Sequence, residues 1–262
     1  MEHAEVIGAL RDAGVLAAIR WAYESAARRA LEMYSPADGH DVAWLGNTRY
    51  VLFRDRLDRV FSCDRYQIFH DMAGAAEPDP DVLYAELPED DIRAMPAVAP
   101  GLVVRADLHG SPGWACRAGR FLITSGEYGH VDTIQWAYKS LTKRVVALQP
   151  PPARHWEPDN ALFSIEELIG SEEPGMHVFT GPHAFQGQSL DLPTFVVAHS
   201  LDPAGGEVEL VFGRPRMNTA GGPAWHWFEN LLATPLPSTW AGDAPARLWL
   251  VPSDPAVPAE GR

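Results

Sequence analysis

From His3 to Tyr34 apolar residues recur at helical intervals, at Leu16, Ile19, Trp21, Ala27, Leu31 and Tyr34, in a segment rich in Ala, Leu, Arg and Glu. The spacing predicts a helix broken at Ala13 and Gly14. Ser35 and Pro36 stop it, because proline lacks the N–H and its predecessor avoids the helical region. Glu24 and Arg28, four apart, suit its solvated face. A second pattern of the same period runs from Tyr50 to Phe61. Tyr50, Phe53, Leu57, Val60 and Phe61 stack on one side, and Arg54, Asp55, Arg56, Asp58 and Arg59 fill the other. Those charges read as a solvated face with an Asp55–Arg59 pair, and Asn47 or Thr48 as the helix cap. Cys63, Asp64, Arg65 and Tyr66 fall past the apolar arc, where they can line a cleft.

Residues 77–100 are rich in proline and acids and read as a connection with one short helix. They divide a single domain, 1–262, into an N-terminal helical lobe, 1–76, and an α+β lobe, 101–262. Beyond them "LVVRAD" and "GRFLITSGEYG" predict a pair of strands around a turn at Gly110 to Gly113. "TFVVAHS" and "EVELVFG" predict antiparallel neighbours joined by the turn Asp202 to Gly206. "HVFTG" and "RLWLV" are further strand candidates, and "SIEELIG" is a short helix with a capping box from Ser164 to Glu167. "PAWHWFENLL" reads as a closing helix that begins at Pro223 and carries Trp225, Phe228 and Leu232 on one face. Helices first, strands in the middle and a helix late, with no regular alternation, define an α+β fold: N-terminal helices, a mainly antiparallel central sheet, and a late helix packed on it.

Composition narrows the partners. With 46% hydrophobic residues the chain can fill a core, and 21 basic against 35 acidic side chains leave a formal charge of −14. Such a field repels phosphate backbones and anionic bilayers, so neither nucleic acid nor a membrane is an expected partner. The acidic N-terminus, without an adequate apolar stretch, does not resemble a secretory signal. Two cysteines, Cys63 and Cys116, are too few for a disulfide framework, and a cytoplasmic location with free thiols is expected.

No phosphate-loop, dinucleotide, zinc-protease or esterase motif occurs, so no cofactor is indicated. The most suggestive segment is 209–232. There Arg214 and Arg216 lead into Gly221 and Gly222 before the expected helix, which would gather guanidiniums, free amides and a positive dipole end around an anion. On that helix His226 and Glu229 would share a face. Asp107, at a strand end, is a candidate general base, as are Glu127 and His130. If extended, His130 and Asp132 would address one ligand. Lys139 and Lys143 would form a small cationic face at a solvated helix start, bridged by that anion. His177, His183 and His199 match no recurrent zinc spacing, so no metal is expected. Cys63 could be activated by Arg59 and Arg65. The expected function is an enzyme acting on an anionic, phosphate-bearing substrate by acid and base catalysis, of hydrolase or transferase type. The alternative is a non-catalytic module binding a protein partner through an Arg- and Trp-rich face.

Overall fold

The computed structural model describes residues 2–67, 80–150, 190–219 and 221–233. Three helices open the chain, α1 (Glu2–Asp12), α2 (Val15–Glu32) and α3 (Val42–Val60), followed by two short ones, α4 (Pro80–Leu83) and α5 (Glu89–Ala94). Strands β1 (Val104–Arg105), β2 (Gly113–Cys116) and β3 (Gly119–Ser125) come next, then α6 (Leu141–Leu148), and finally β4 (Thr194–Leu201), β5 (Val208–Pro215) and β6 (Trp225–Asn230). The six strands lie in chain order in one sheet, and every neighbouring pair is antiparallel except β3 and β4. The α+β class therefore holds. The expected "SIEELIG" helix, the "HVFTG" and "RLWLV" strands, His177 and His183 lie outside the described residues.

The break between α1 and α2 falls at Gly14, whose φ of 74° is open to glycine at little steric cost. Helix α3 starts earlier than expected: Asp41, not Asn47 or Thr48, caps it by accepting from the Trp44 amide at 2.7 Å. Helices α1, α2 and α3 pack their apolar sides on one sheet face around Tyr23, Phe53, Leu57, Phe121, Phe195 and Phe212. The opposite face carries α6 and a second core with Trp136 and Trp225.

Two expectations are corrected here. The segment 223–232 is not a helix but strand β6. A register shift opposite Arg214 and Pro215 places one extra residue, His226, between Trp225 and Trp227. The two tryptophans thereby serve opposite faces: Trp225 meets Trp136 edge-on at 5.1 Å, while Trp227 packs 5.5 Å from Phe195. One helical stripe could not fill both cores. Glu229, expected beside His226, instead faces α1, 3.5 Å from both His3 and Arg11.

Of the charged arc of α3, expected to be solvated, Arg54 alone is exposed. Arg56, Asp58 and Arg59 are buried, because elements distant in sequence supply their partners. Asp55 accepts from Arg56 at 2.6 Å, from Arg59 at 2.9 Å, from the Tyr66 hydroxyl at 2.7 Å, and from Arg65. The Asp55–Arg59 pair was expected; its company was not. Arg56 also donates to Ser25, which donates to Asp91 on α5, and Arg28 reaches the same carboxylate at 3.0 Å. Arg28 is thus committed to Asp91, and Glu24 pairs with Arg20 instead. Asp58 holds Arg105 of β1 through both carboxylate oxygens, at 2.7 and 2.8 Å, and the Trp114 indole at 2.9 Å. The segment 80–94 is consequently tied to the helices by buried polar contacts rather than by proline stiffness alone.

Candidate functional site

The expected anion site at the end of β5 is not assembled as drawn. Arg214 is buried and its guanidinium donates to the Pro150 carbonyl, whereas Arg216 is exposed. Gly221 and Gly222, at φ of 84° and 95°, form the exposed turn into β6, so no helix dipole points at them. Asp107 lies at the other flank of the sheet and is engaged by Arg105 at 2.5 Å and by the Gly113 amide at 3.1 Å. Glu127 and His130 are exposed. They belong to a turn in which the His130 amide bonds the Glu127 carbonyl, so His130 and Asp132 are not extended. Cys63 is not activated: burial first, and the Asp58 charge second, push its thiol up to about 12. Among the described residues no group of His, Cys, Asp or Glu could hold a metal ion. Of the arginines on the face that the binding-module alternative uses, Arg56 and Arg59 are buried and Arg54 is exposed.

Polar groups do converge at the carboxyl ends of β3 and β4, the one parallel pair in this sheet. Such ends are where open sheets with parallel strands commonly take their ligands. Ser125 and His199 are paired across the ladder, with Ser125 Oγ 3.5 Å from His199 Nε2. His199 is fully buried, its ring 5.2 Å from Tyr23 and 5.1 Å from Phe53, with Tyr50 stacked further out at 6.4 Å. Its Nδ1 is buried without a hydrogen-bond partner. The Tyr23 hydroxyl donates to the Ser200 carbonyl, and the Ser200 hydroxyl donates to Glu209 at 2.5 Å.

Two cations complete the cluster. Lys139 donates from Nζ to the Ser125 carbonyl at 2.7 Å. Its loop is held in place by tryptophans: Trp136 Nε1 donates to Ala224 and Trp225 Nε1 to Val131, while Asn218 bonds the backbone of Trp136 and Ile134. Arg49, from α3, is 5% exposed, and among the described residues it makes no hydrogen bond or ion pair; its Nε is buried unpartnered. Burial lowers its pKa, and among the described residues the only group acting against that is Tyr23, a phenol that burial itself keeps neutral. Lys139 is the expected site residue that joins this cluster, and Lys143 stands four residues further on, in α6. Lys143 is buried, not at a solvated helix start.

The electrostatics follow from this placement. Burial, and then the charges of Arg49 and Lys139, hold the His199 imidazole well below its usual range, so it is neutral at pH 7. The unfolded chain protonates this histidine below about pH 6.5, and the folded chain does so only at much lower pH. Stability is therefore complete above about pH 6.5 and falls as pH drops, by up to about 1.4 kcal/mol per pH unit. His199→Phe is expected to remove that slope, which urea midpoints at pH 7.0 and roughly pH 5.5 would reveal.

Comparison with known protein families, with curated proteins and with solved structures finds no match to this chain. The fold defines an α+β protein. Of the clustered residues, the sequence presents His199 only as a metal candidate and does not single out Tyr23, Arg49 or Ser125. Arg49 left a signal: it stands four residues before Phe53, on the apolar arc rather than the charged one.

Proposed function

We propose that the protein is an enzyme for a small anionic substrate, bound at the carboxyl ends of β3 and β4. The observation that carries this reading is the Arg49 guanidinium, buried without a counter-charge among the described residues. Burying a charge without compensation is costly, and a bound anion supplies the compensation. Lys139 adds a second positive charge, and its Nζ retains hydrogens beyond the one given to Ser125. Neutral His199, with Nε2 toward the Ser125 hydroxyl, is placed to act as a general base for that hydroxyl or for a water, in hydrolysis or group transfer. The 3.5 Å separation is long for a hydrogen bond and shortens in this reading when substrate fills the site.

Turnover of a panel of phosphomonoesters and carboxylic esters tests the catalytic part. His199→Gln should lower kcat by roughly 10²–10⁴-fold with KM little changed. Arg49→Met should chiefly raise KM. A protein that binds these anions but turns none of them over would be a binding protein, and the catalytic assignment would fall.

A further inference from the structure

The His199 imidazole is walled in by rings. Tyr23, Phe53 and Tyr50 lie 5.2, 5.1 and 6.4 Å from it, and the residue is fully buried. Among the described residues one hydrogen-bonding group stands near either ring nitrogen, the Ser125 hydroxyl at 3.5 Å from Nε2. Ser125 is only half-buried, so its hydroxyl links an enclosed base to the open end of the strand. A water would have to displace that hydroxyl to meet Nε2.

The two fully buried serines are already committed: Ser25 donates to Asp91 at 2.7 Å, and Ser200 to Glu209 at 2.5 Å. The Ser125 hydroxyl has no such acceptor among the described residues and faces the imidazole alone. Its backbone, by contrast, is pinned. The Ser125 carbonyl accepts from Lys139 Nζ at 2.7 Å, and the following amide, Gly126, donates to the His199 carbonyl at 2.8 Å. A fixed backbone, an uncommitted hydroxyl and a neutral imidazole in front of it are the parts of an activated oxygen nucleophile.

Arg49 is brought to the same place by its helix. It precedes Tyr50 and stands one turn before Phe53, and both of those rings lie against His199. Arg49 and Lys139 together offer two positive charges, which a phosphoryl dianion balances, and its three oxygens can take the hydrogens that Lys139 has left over. A bound dianion also offsets the two cations that, after burial, hold the imidazole neutral, so His199 gains basicity when substrate is in place.

We propose that Ser125 is a covalent nucleophile and that the site hydrolyses phosphomonoesters through a phosphoserine at this position. The inference rests on the anion reading of Arg49 and adds the reacting oxygen and the substrate class. Ser125 Oγ attacks phosphorus, an O–P bond forms, and the bond from phosphorus to the ester oxygen breaks with its electron pair going to that oxygen. His199 Nε2 takes the hydroxyl proton and passes it to the departing alkoxide, which leaves as the alcohol. Water then attacks the phosphoserine. It gives one proton through His199 to the leaving Ser125 oxygen, which frees inorganic phosphate and restores the hydroxyl. Water is the only co-reactant.

The test is turnover of nitrophenyl phosphate and phenyl phosphate by the intact protein, with ethanol added as a second acceptor. One shared phosphoserine requires both esters to give the same ratio of ethyl phosphate to inorganic phosphate, and acid quenching followed by peptide mass mapping should place the phosphate on Ser125. Ser125→Ala is expected to lower kcat by about 10³-fold or more while still binding inorganic phosphate in a calorimeter. Product ratios that differ between the two esters, or Ser125→Ala turning over within about tenfold of the wild type, would overturn the proposal. If phosphate binds in an Arg49-dependent way but neither ester is turned over, the nucleophile falls and the anion site stands. Phosphate found on Ser125 at the same rate in Arg49→Met would keep the nucleophile and remove the anion reading.

Discussion

Asp58→Ala is expected to lower folding stability by about 3–5 kcal/mol, a large part of the total for a protein of ordinary stability. The carboxylate is buried and ties α3 to the first two strands through Arg105 and the Trp114 indole. Its removal leaves the Trp114 N–H buried without an acceptor and leaves Arg105, stacked 4.7 Å from the Trp114 ring, with Asp107 alone. The cost arises mostly from these abandoned partners rather than from the lost attraction. Asp58→Leu combined with Arg105→Met should therefore be less harmful than the sum of the two single changes. Urea unfolding followed by tryptophan fluorescence checks both statements, through a shifted midpoint at unchanged slope.

The opposite sign is expected at Arg49. Arg49→Met should raise the stability of the ligand-free protein by about 1–2 kcal/mol, because it replaces a desolvated guanidinium, unpaired among the described residues, with an apolar chain of similar length. The same change should abolish stabilisation by anions. A residue that costs stability when the site is empty and supplies it when an anion is bound behaves as part of a binding site, and residues that merely support a fold do not show that pair of effects. Arg56 is the control: it is buried to a similar degree but hydrogen-bonded to Asp55 and Ser25, and its loss should destabilise with or without anion.

What the sequence disclosed and withheld follows from the range of the interactions concerned. The breaks at Gly14 and Pro36, the helix through Phe53 and Leu57, and the antiparallel strands around Asp202 to Gly206 are set by local spacing, and each stands in the structure. The wet face assigned to α3 failed because Arg56 and Asp58 meet Ser25 and Arg105, tens of residues away, and no helical period carries that information. Strand β6 failed for a subtler reason. Trp225 and Trp227 are two apart, which on a regular strand implies one face, and only the extra residue between them turns them to opposite faces. The site itself needs the register of β3 against β4, which brings Ser125 to His199, and the tryptophan-held loop that aims Lys139. Neither is encoded in a short motif.

The account turns on Arg49 as the receptor for an anion, and calorimetric titration of inorganic phosphate into the wild-type protein and into Arg49→Met tests this most directly. Saturable binding of one phosphate by the wild type, absent in Arg49→Met although that variant melts at a higher temperature without ligand, is the predicted result. Equal binding by both proteins, or a variant that melts lower than the wild type with no phosphate present, would contradict it.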